Sequence, residues 1–536
     1  MPKAQKNLQN YLILNKFLNS LFGLKNIEDF QKLLKMTQEG LNPNKEYYFT
    51  TVLRTLNISK DLRQKLNQYD ENIQEYMRNI NLKRDPPIRL KYFQYLAVLF
   101  TEIYLDNLFN NLNSFLSKFA EFVFECNKKE KKAGVNVYLY PDKQSMRKLV
   151  YWAATGSGKT ILMHINILQF QKYYKGDFDN FLLITPNEGL SQQHKIELEL
   201  SNIKNKIFEP RITIERWFGE NPVKIIEIYK IKKEVTSQEG KTIPVDAFGN
   251  NNIIFVDEGH KGHSTEAQVW KNVRKQLVGN KGFTFEYSAT FGEIKAKDDT
   301  FNEYASSIIF DYRYRYFYED GFGKDYEILN LKNPEDYGDE YFTVALLSFY
   351  EQIIYYQNNK ADIKNFNIEN PLMIFVGTFV SGKQGNSDIL IIIEFFVKFI
   401  KEKETFTGII GELIAGRCNI YDSEDQSIIR FKFNYLRDFI KSKGFDEKKL
   451  YLDICKTLFY AESPSKLKLI ELKNADGEIG LKFGSKYFGL INIGNPSSFL
   501  KIIEEDTENY IISPKSHFEK SLFYQIEEKD SNINFL

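Results

Sequence analysis

Short apolar runs alternate with stretches of helical periodicity between residues 148 and 292. Residues 148–152 and 252–257 are typical of buried parallel strands, since strands covered on both faces read as continuous apolar runs. Residues 161–168 follow the first run and continue as a helix without a breaker. This βαβ alternation predicts an α/β domain built on a parallel sheet with helices on both faces.

The pattern changes on either side of this domain. Leu, Phe and Tyr recur at helical spacing in residues 1–80, and Asp85-Pro86-Pro87 indicates a boundary. We therefore predict a helical N-terminal region at 1–85, an α/β domain at 86–295 and a second domain at 296–536. Residues 410–500 match no motif and are interpreted as an insertion in the second domain.

The sequence pattern of two shorter segments does not settle their structure. Residues 223–228 and 240–244 suggest a small hairpin. Residues 310–318 are dense in aromatic residues and arginine, which suits either a strand pair between the domains or stacking on nucleic-acid bases.

A glycine-rich loop follows the first strand, with the sequence Ala-Ala-Thr-Gly-Ser-Gly-Lys-Thr at residues 153–160. Gly156 and Gly158 lack a Cβ, so the backbone can direct successive N–H groups at phosphates. Lys159 is expected to reach the β- and γ-phosphates, and the Thr160 hydroxyl to bind Mg²⁺. Thr155 and Ser157 complete the predicted nucleotide-binding set. The alternative is an ordinary glycine-containing turn before a helix.

The second apolar strand ends in two carboxylates. Asp257 is suited to holding Mg²⁺, and Glu258 to orienting and deprotonating the attacking water. An isolated Asp-Glu pair is often only a solvated turn, but the strand before it and the loop upstream favour catalysis. About 30 residues later, Ser288 and Thr290 offer hydroxyls that could couple nucleotide state to movement.

His260 lies just after the acidic pair, and His263 follows it. The three Cys are scattered, so a zinc site is disfavoured, and His260 is interpreted as a catalytic residue that links the nucleotide site to the next motif.

Together these segments resemble the motifs of superfamily 2 helicases of the DExH branch. The fit is to the motor of type III restriction enzyme Res subunits and related DEAD/DEAH-box proteins. The resemblance rests on residues 90–94, 153–160, 183–194, 257–260 and 288–290.

The resemblance implies a RecA-like P-loop NTPase domain followed by a second RecA-like domain, with ATP and Mg²⁺ as cofactors. Gln94 would contact adenine. Thr185, Pro186 and Asn187 would lie along the nucleic-acid backbone. Duplex DNA is the implied partner, and a methyltransferase or specificity subunit is a further partner that the resemblance implies.

The second domain is incomplete by this comparison. Residues 371–378 resemble motif IV, but no motif V or VI is found, and Arg417 lacks the second arginine of motif VI. Residues 533–536 resemble a strand that enters motif V, so we expect a truncated protein. The missing arginines keep a second hypothesis open, namely a nucleotide-binding module with little turnover.

Composition adds little. The chain has 72 Lys and Arg against 71 Asp and Glu, so it has no global basic field. Nothing in the residues distinguishes DNA from RNA, and an RNA helicase stays an alternative. Three Cys indicate a reducing compartment. The apolar stretch at 389–400 contains Glu394 and Lys398 and predicts a buried helix, not a membrane span. A cytoplasmic protein is expected.

Overall fold

The apolar runs form parallel strands in the computed structural model, which separates the chain into two units, Met1–Asp325 and Tyr326–Leu536. The structure describes residues 7–131, 138–208, 222–232, 243–258, 265–294, 300–325, 338–363, 368–377, 387–417, 420–421, 427, 432–472, 477–493, 496–516, 521–526 and 531–536.

The first unit contains eleven α-helices and nine strands in its described part. The helices are α1 Ile13–Leu21, α2 Ile27–Leu34, α3 Tyr48–Arg54, α4 Lys60–Ile80, α5 Tyr92–Asn110, α6 Leu112–Lys131, α7 Lys159–Tyr173, α8 Glu188–Leu200, α9 Thr265–Val278, α10 Phe301–Ser307 and α11 Tyr314–Glu319. The strands are β1 Lys148–Ala153, β2 Phe181–Thr185, β3 Asn205–Ile207, β4 Val223–Glu227, β5 Ile231–Lys232, β6 Ile243–Pro244, β7 Ile253–Asp257, β8 Phe283–Ser288 and β9 Ile308–Tyr312.

Seven of these strands form one sheet in the order β3-β4-β2-β7-β8-β1-β9. Every strand pair in it is parallel. Because all strands run the same way, the loops after β1, β7 and β8 meet at one edge of the sheet. This arrangement confirms the predicted parallel sheet.

Helices cover both faces of the sheet. Alternate strand residues point to opposite faces: Tyr151 and Phe255 join a cluster that includes Ile165 of α7, whereas Val256 packs with Val273 of α9. The strands are therefore buried on both sides, which explains their continuous apolar sequences.

The N-terminal helices share the core of the sheet. Phe17 of α1, Phe30 of α2 and Leu66 of α4 lie in the same buried cluster as Tyr151. The region predicted as separate at residues 1–85 therefore packs as part of the first unit.

The first unit also extends past the predicted boundary at residue 295. Strand β9 pairs with β1, with Tyr151 opposite Phe310. The segment 310–318 is thus the end of an edge strand followed by helix α11, and not a strand pair. Phe310, Tyr312 and Tyr316 are buried in the core. Tyr314 and Tyr318 are exposed on α11.

Strand β9 places a carboxyl in this core. Asp311 is 6% exposed, and burial raises its pKa to about 6 although Arg313 acts in the opposite direction. The folded protein therefore binds this proton more tightly than the unfolded chain, whose carboxyl has its ordinary pKa of 3.8. The ionised group lowers the free energy of unfolding above pH 6, and this loss disappears as the pH falls toward 4.

Replacing Asp311 by asparagine should therefore raise the free energy of unfolding at pH 7.5 by about 1–3 kcal/mol, and by much less at pH 4. Urea unfolding followed by tryptophan fluorescence measures this, since all three Trp lie in the first unit. The exposed Asp438→Asn is the matched control, for which no pH-dependent gain is expected. An equal effect of D311N at both pH values would contradict the assignment.

The hairpin predicted near residues 223–244 is wrong. Strand β4 lies within the large sheet between β2 and β3, and the short strands β5 and β6 pair in parallel with each other. The apolar residues of β4, among them Ile225 and Ile226, are fully buried. The short sequence of β4 suits a central strand as well as a hairpin, so it does not identify the strand's pairing partner.

The second unit has eight helices and four strands among its described residues. The helices are α12 Gly338–Asn358, α13 Lys360–Ile363, α14 Asp388–Lys401, α15 Lys403–Ile414, α16 Asn434–Lys443, α17 Glu447–Phe459, α18 Pro496–Ile503 and α19 Leu522–Ile526. The strands are β10 Leu467–Leu472, β11 Glu478–Lys482, β12 Gly489–Asn492 and β13 Tyr510–Ser516. Helix α14 confirms the helix predicted from residues 389–400. Within the described ranges, no helix is long and apolar enough to cross a membrane.

The sheet of the second unit is mixed, in the order β12-β11-β10-β13, with two antiparallel pairs and one parallel pair. Residues 410–500, predicted as an insertion, provide three of these strands, and Ile454 and Leu469 share a buried cluster with Phe396 of α14. They therefore belong to the core of the unit. Its RecA-like character stays a prediction.

The segments predicted as strands of the second unit form only isolated bridges. Met373 bridges Phe535 in parallel, and Phe535 also bridges Gly489. The backbone N–H of Phe375 donates to the carbonyl of Leu536 at 2.8 Å. The two apolar segments thus lie side by side, although the ladder is too short for regular strands.

Candidate nucleotide-binding site

The glycine-rich loop connects β1 to α7 at the carboxyl edge of the large sheet. Gly156 and Gly158 have φ angles of +84° and +90°, a region that side chains with a Cβ rarely adopt. The Ser157 hydroxyl donates to the Ala154 carbonyl at 2.6 Å, and the Ala154 N–H donates to the Tyr312 carbonyl of β9 at 2.9 Å. The loop is held by its own backbone and by the neighbouring strand.

Lys159 is the first residue of α7. Its Nζ lies 3.4 Å from the Ala153 carbonyl and 3.5 Å from that of Ala154. Burial lowers the pKa of Lys159, and the charges of Glu258 and Asp257 act in the opposite direction. The ammonium therefore lies within electrostatic reach of the acidic turn.

Strand β7 ends at Asp257, and only β8 separates it from β1. The Glu258 N–H donates to Asp257 Oδ1 at 3.1 Å, and Glu258 has a φ of +56°. A left-handed residue other than glycine costs about 1–3 kcal/mol and persists where its surroundings enforce it, often at functional sites. The turn thus displays two adjacent carboxylates toward the glycine-rich loop.

The two predicted coupling residues meet this turn from β8. Ser288 is fully buried, and its hydroxyl donates to Glu258 Oε2 at 3.3 Å. The Thr290 N–H in turn donates to Ser288 Oγ at 3.2 Å. A hydrogen-bonded path therefore connects the end of β8 to Glu258.

Gln94 lies at the start of α5 and contacts the glycine-rich loop directly. Its Nε2 donates to the Ser157 carbonyl at 2.9 Å, and its Oε1 accepts from the Lys91 N–H at 3.0 Å. A Cβ on Gly158 would lie 2.4 Å from Gln94 Nε2, so the two residues fit only because position 158 is glycine. Both ends of the amide are engaged with protein, and its contact with adenine stays a prediction.

The three residues predicted to face nucleic acid differ in exposure. Thr185 is 1% exposed, and its hydroxyl bonds Ser191 Oγ at 2.7 Å inside the protein. Asn187 is exposed and Pro186 partly so, and the Asn187 side chain accepts from the Leu190 N–H at 2.9 Å as the N-cap of α8. Only Pro186 and Asn187 present surface to a ligand.

His260 lies outside the described residues, as does His263. Among the residues that the structure describes, no group of three or more His, Cys, Asp and Glu side chains could hold a metal ion.

Two contacts of the site were not predicted. His194 Nε2 of α8 lies 3.0 Å from Asp257 Oδ2. The Phe317 ring of α11 lies 3.5 Å from the position of a Cβ on Gly156. His194 is the last residue of the segment 183–194, which contributes to the resemblance, and Phe317 lies in the aromatic segment 310–318. Neither residue was assigned a role at the nucleotide site, and only the fold brings them here.

The arrangement suits a magnesium-bound nucleoside triphosphate. Thr155 and Gly156 are exposed at the mouth of the loop, and the first N–H groups of α7 have no carbonyl partner in their own helix. Lys159 supplies a positive charge, and Thr160 with Asp257 supplies oxygen ligands of the kind that Mg²⁺ prefers.

The chain is similar to proteins of known structure over part of its length. No curated protein matches the chain significantly. Among solved structures, the arterivirus nonstructural protein 10 helicase is 14% identical over 32% of this chain and 36% of its own, with a TM-score of 0.19. The Sulfolobus solfataricus SWI2/SNF2 ATPase core in complex with dsDNA is 14% identical over 74% of this chain and 78% of its own, with a TM-score of 0.23.

The chain thus spans about a third of the length of the viral helicase. A family profile described as type III restriction enzyme, res subunit, matches residues 104–293, which include the glycine-rich loop, the acidic turn and β8. Over residues 104–293 the chain is therefore similar to the type III restriction enzyme res subunit family.

Proposed function

We propose that the protein is an ATP-dependent motor that couples hydrolysis to movement on duplex DNA. The observation that supports this most is the meeting of Lys159 with Asp257 and Glu258 at one edge of the sheet. A lysine and an acid pair in this relation can bind a triphosphate and hydrolyse its terminal phosphate.

Each residue then has a distinct task. The N–H groups of the glycine-rich loop and the Lys159 ammonium bind the phosphates, while Thr160 and Asp257 hold Mg²⁺. When bound, Mg²⁺ neutralises charge on the phosphate oxygens. Glu258 orients the attacking water and accepts its proton, because its carboxylate is held at the turn by Ser288.

The contact with DNA is assigned to the exposed loop before α8. Pro186 and Asn187 offer backbone groups and a side-chain amide, which bind phosphate without reading sequence. Ser288 and Thr290 are assigned the coupling of Glu258 to movement, through the hydrogen bonds that join them to the turn.

The second candidate is a module that binds nucleotide with little turnover. Helicase motors stabilise the developing phosphate charge with arginine, whereas Arg417 forms a two-pronged ion pair with Glu412 at 2.8 and 2.9 Å. This pairing with the end of the preceding helix α15 motivates the alternative.

Steady-state ATPase assays separate the candidates. The purified protein is assayed alone and with duplex DNA, single-stranded DNA or duplex RNA of matched length, at fixed salt, because binding to nucleic acid depends strongly on salt. Stimulation by duplex DNA supports the proposal, and stimulation by RNA alone supports an RNA helicase. Tight ATP binding without turnover in any condition supports the module.

Replacing Lys159 by alanine should weaken ATP binding roughly 10- to 150-fold, because a hydrogen bond to a charged group contributes about 1.5–3 kcal/mol. Equilibrium titration with a fluorescent ATP analogue measures the loss. Lys172→Ala is the matched control, since Lys172 lies on the same helix but pairs with Glu75 at 2.8 Å at the surface. Unchanged affinity in K159A would argue against a phosphate-binding loop.

A further inference from the structure

His194 connects helix α8 to the acidic turn. Its Nε2 lies 3.0 Å from Asp257 Oδ2, and the two side chains are 4% and 15% exposed. A carboxylate oxygen only accepts, so Nε2 carries the proton and donates it. The other oxygen, Asp257 Oδ1, accepts from the Glu258 N–H at 3.1 Å. The two oxygens are thus held by different parts of the fold.

The Asp257 contact orients the His194 ring. Among the described residues, His194 Nδ1 has no hydrogen-bond partner. The nearby His164 is fully buried, and its Nδ1 bonds Ser201 Oγ at 2.8 Å. Burial, together with the charges of His194 and Arg84, lowers the pKa of His164 to about 3, so it adds no charge beside the acidic turn.

The same helix is fastened to the loop assigned to DNA. The Asn187 side chain caps α8, and Ser191 bonds the Thr185 hydroxyl at 2.7 Å. His194 lies two helical turns after Asn187, and Ser191 and His194 share the buried face of α8. A rigid element therefore connects the exposed loop at 186–187 with Asp257.

We propose that His194 is a positioning residue that fixes the magnesium-holding carboxylate of Asp257 and transmits displacement of α8 to it. This inference rests on the proposed function, since it assigns Mg²⁺ to Asp257 and DNA to residues 186–187. It extends that function by naming the residue through which nucleic acid acts on the magnesium site.

Binding measurements without turnover test the proposal. A mant-labelled, non-hydrolysable ATP analogue is titrated onto wild type, His194→Leu and His194→Gln over a range of Mg²⁺ concentrations. H194L should need roughly 10- to 100-fold more Mg²⁺ for half-maximal binding, because partners of metal ligands typically contribute this much. Affinity without Mg²⁺ should not change. H194Q should recover part of the effect, since glutamine keeps an N–H donor near the Nε2 position.

His164→Leu is the matched control, because His164 is equally buried but does not contact Asp257. Thermal melts establish that each variant is folded. Should H194L melt below the assay temperature, H194N, whose shorter amide loses reach to Asp257, replaces it.

Duplex DNA supplies the second arm. DNA should change the Mg²⁺ concentration at which wild type binds the analogue half-maximally (the Mg²⁺ midpoint). It should change the Mg²⁺ midpoint of H194L less. A wild-type Mg²⁺ midpoint in H194L, or an identical DNA shift, overturns the inference while the proposed function stands. Failure of wild type to bind the analogue in a Mg²⁺-dependent manner overturns both.

Discussion

Replacing Glu258 by glutamine should reduce the turnover number for ATP roughly 10²- to 10⁴-fold, which is the usual contribution of a general base. Nucleotide binding should be retained. Glutamine has the shape of glutamate and keeps an oxygen to accept from Ser288, whose hydroxyl lies 3.3 Å from Glu258 Oε2. It cannot accept the proton of the attacking water.

Affinity should survive because the residues that bind the phosphates are untouched. Lys159 keeps its position over the glycine-rich loop, and removal of a neighbouring negative charge also lessens repulsion of the phosphates. E258Q should therefore trap ATP on the protein.

Single-turnover hydrolysis and equilibrium binding of labelled ATP measure the two effects separately. Glu293→Gln is the matched control, since Glu293 is exposed and lies beyond the end of β8. Weakened binding in E258Q with normal turnover of bound ATP would show that Glu258 serves the nucleotide's affinity and not the chemistry.

The sequence predicted the elements that its local pattern encodes. The strands β1 and β7, the glycine-rich loop and helix α7 lie where their apolar runs and glycines indicated. A continuous apolar run is required of a strand buried on both faces, so this signal is local and strong. The match of residues 104–293 to the res subunit family confirms the resemblance drawn from the same motifs.

Elements that depend on distant partners were not predictable. Strand β9 completes the first sheet although it lies beyond the predicted end of the α/β domain at residue 295. Its partner β1 precedes it by about 160 residues, so the local sequence does not reveal the pairing. Strand β4 was predicted as part of a hairpin for the same reason. The buried hydroxyl of Thr185 shows this limit within the site, since its partner Ser191 belongs to the next helix.

The site was predicted only where residue type reveals chemistry. Lys159, Asp257 and Glu258 carry charges in a recognisable order. The sequence assigned His194 no role, and its hydrogen bond to Asp257 forms only because the fold brings α8 to the end of β7. The charge at Glu286, in the middle of the apolar strand β8, is a second feature whose partners the sequence leaves open.

Glutamine at position 286 should lower the free energy of unfolding of the first unit by about 3–5 kcal/mol, as expected when one partner of a buried ion pair is removed. Glu286 is fully buried and pairs with Arg274 and with Lys148 Nζ, the latter at 2.9 Å. Its Oε2 also accepts from the Tyr304 hydroxyl at 2.9 Å. The substitution would leave the Arg274 guanidinium facing a neutral amide, and Lys148 would keep only its contact with Glu303.

Urea unfolding followed by tryptophan fluorescence reports on this unit alone, because all three Trp belong to it. The matched control is Glu303→Gln. Glu303 contacts the same Lys148 at 2.6 Å but is 35% exposed, so its loss should cost no more than about 1 kcal/mol.

The comparison separates burial from pairing, since both carboxylates contact one ammonium. Burial opposes the charge of Lys148, yet Glu286 and Glu303 together outweigh it and hold the Lys148 pKa above its ordinary value. If E286Q and E303Q lower the free energy of unfolding equally, either carboxylate alone is enough to stabilise the Lys148 ammonium. If only E286Q is severe, the buried carboxylate is what allows two cations to lie beneath the strand that carries Ser288 to the acidic turn.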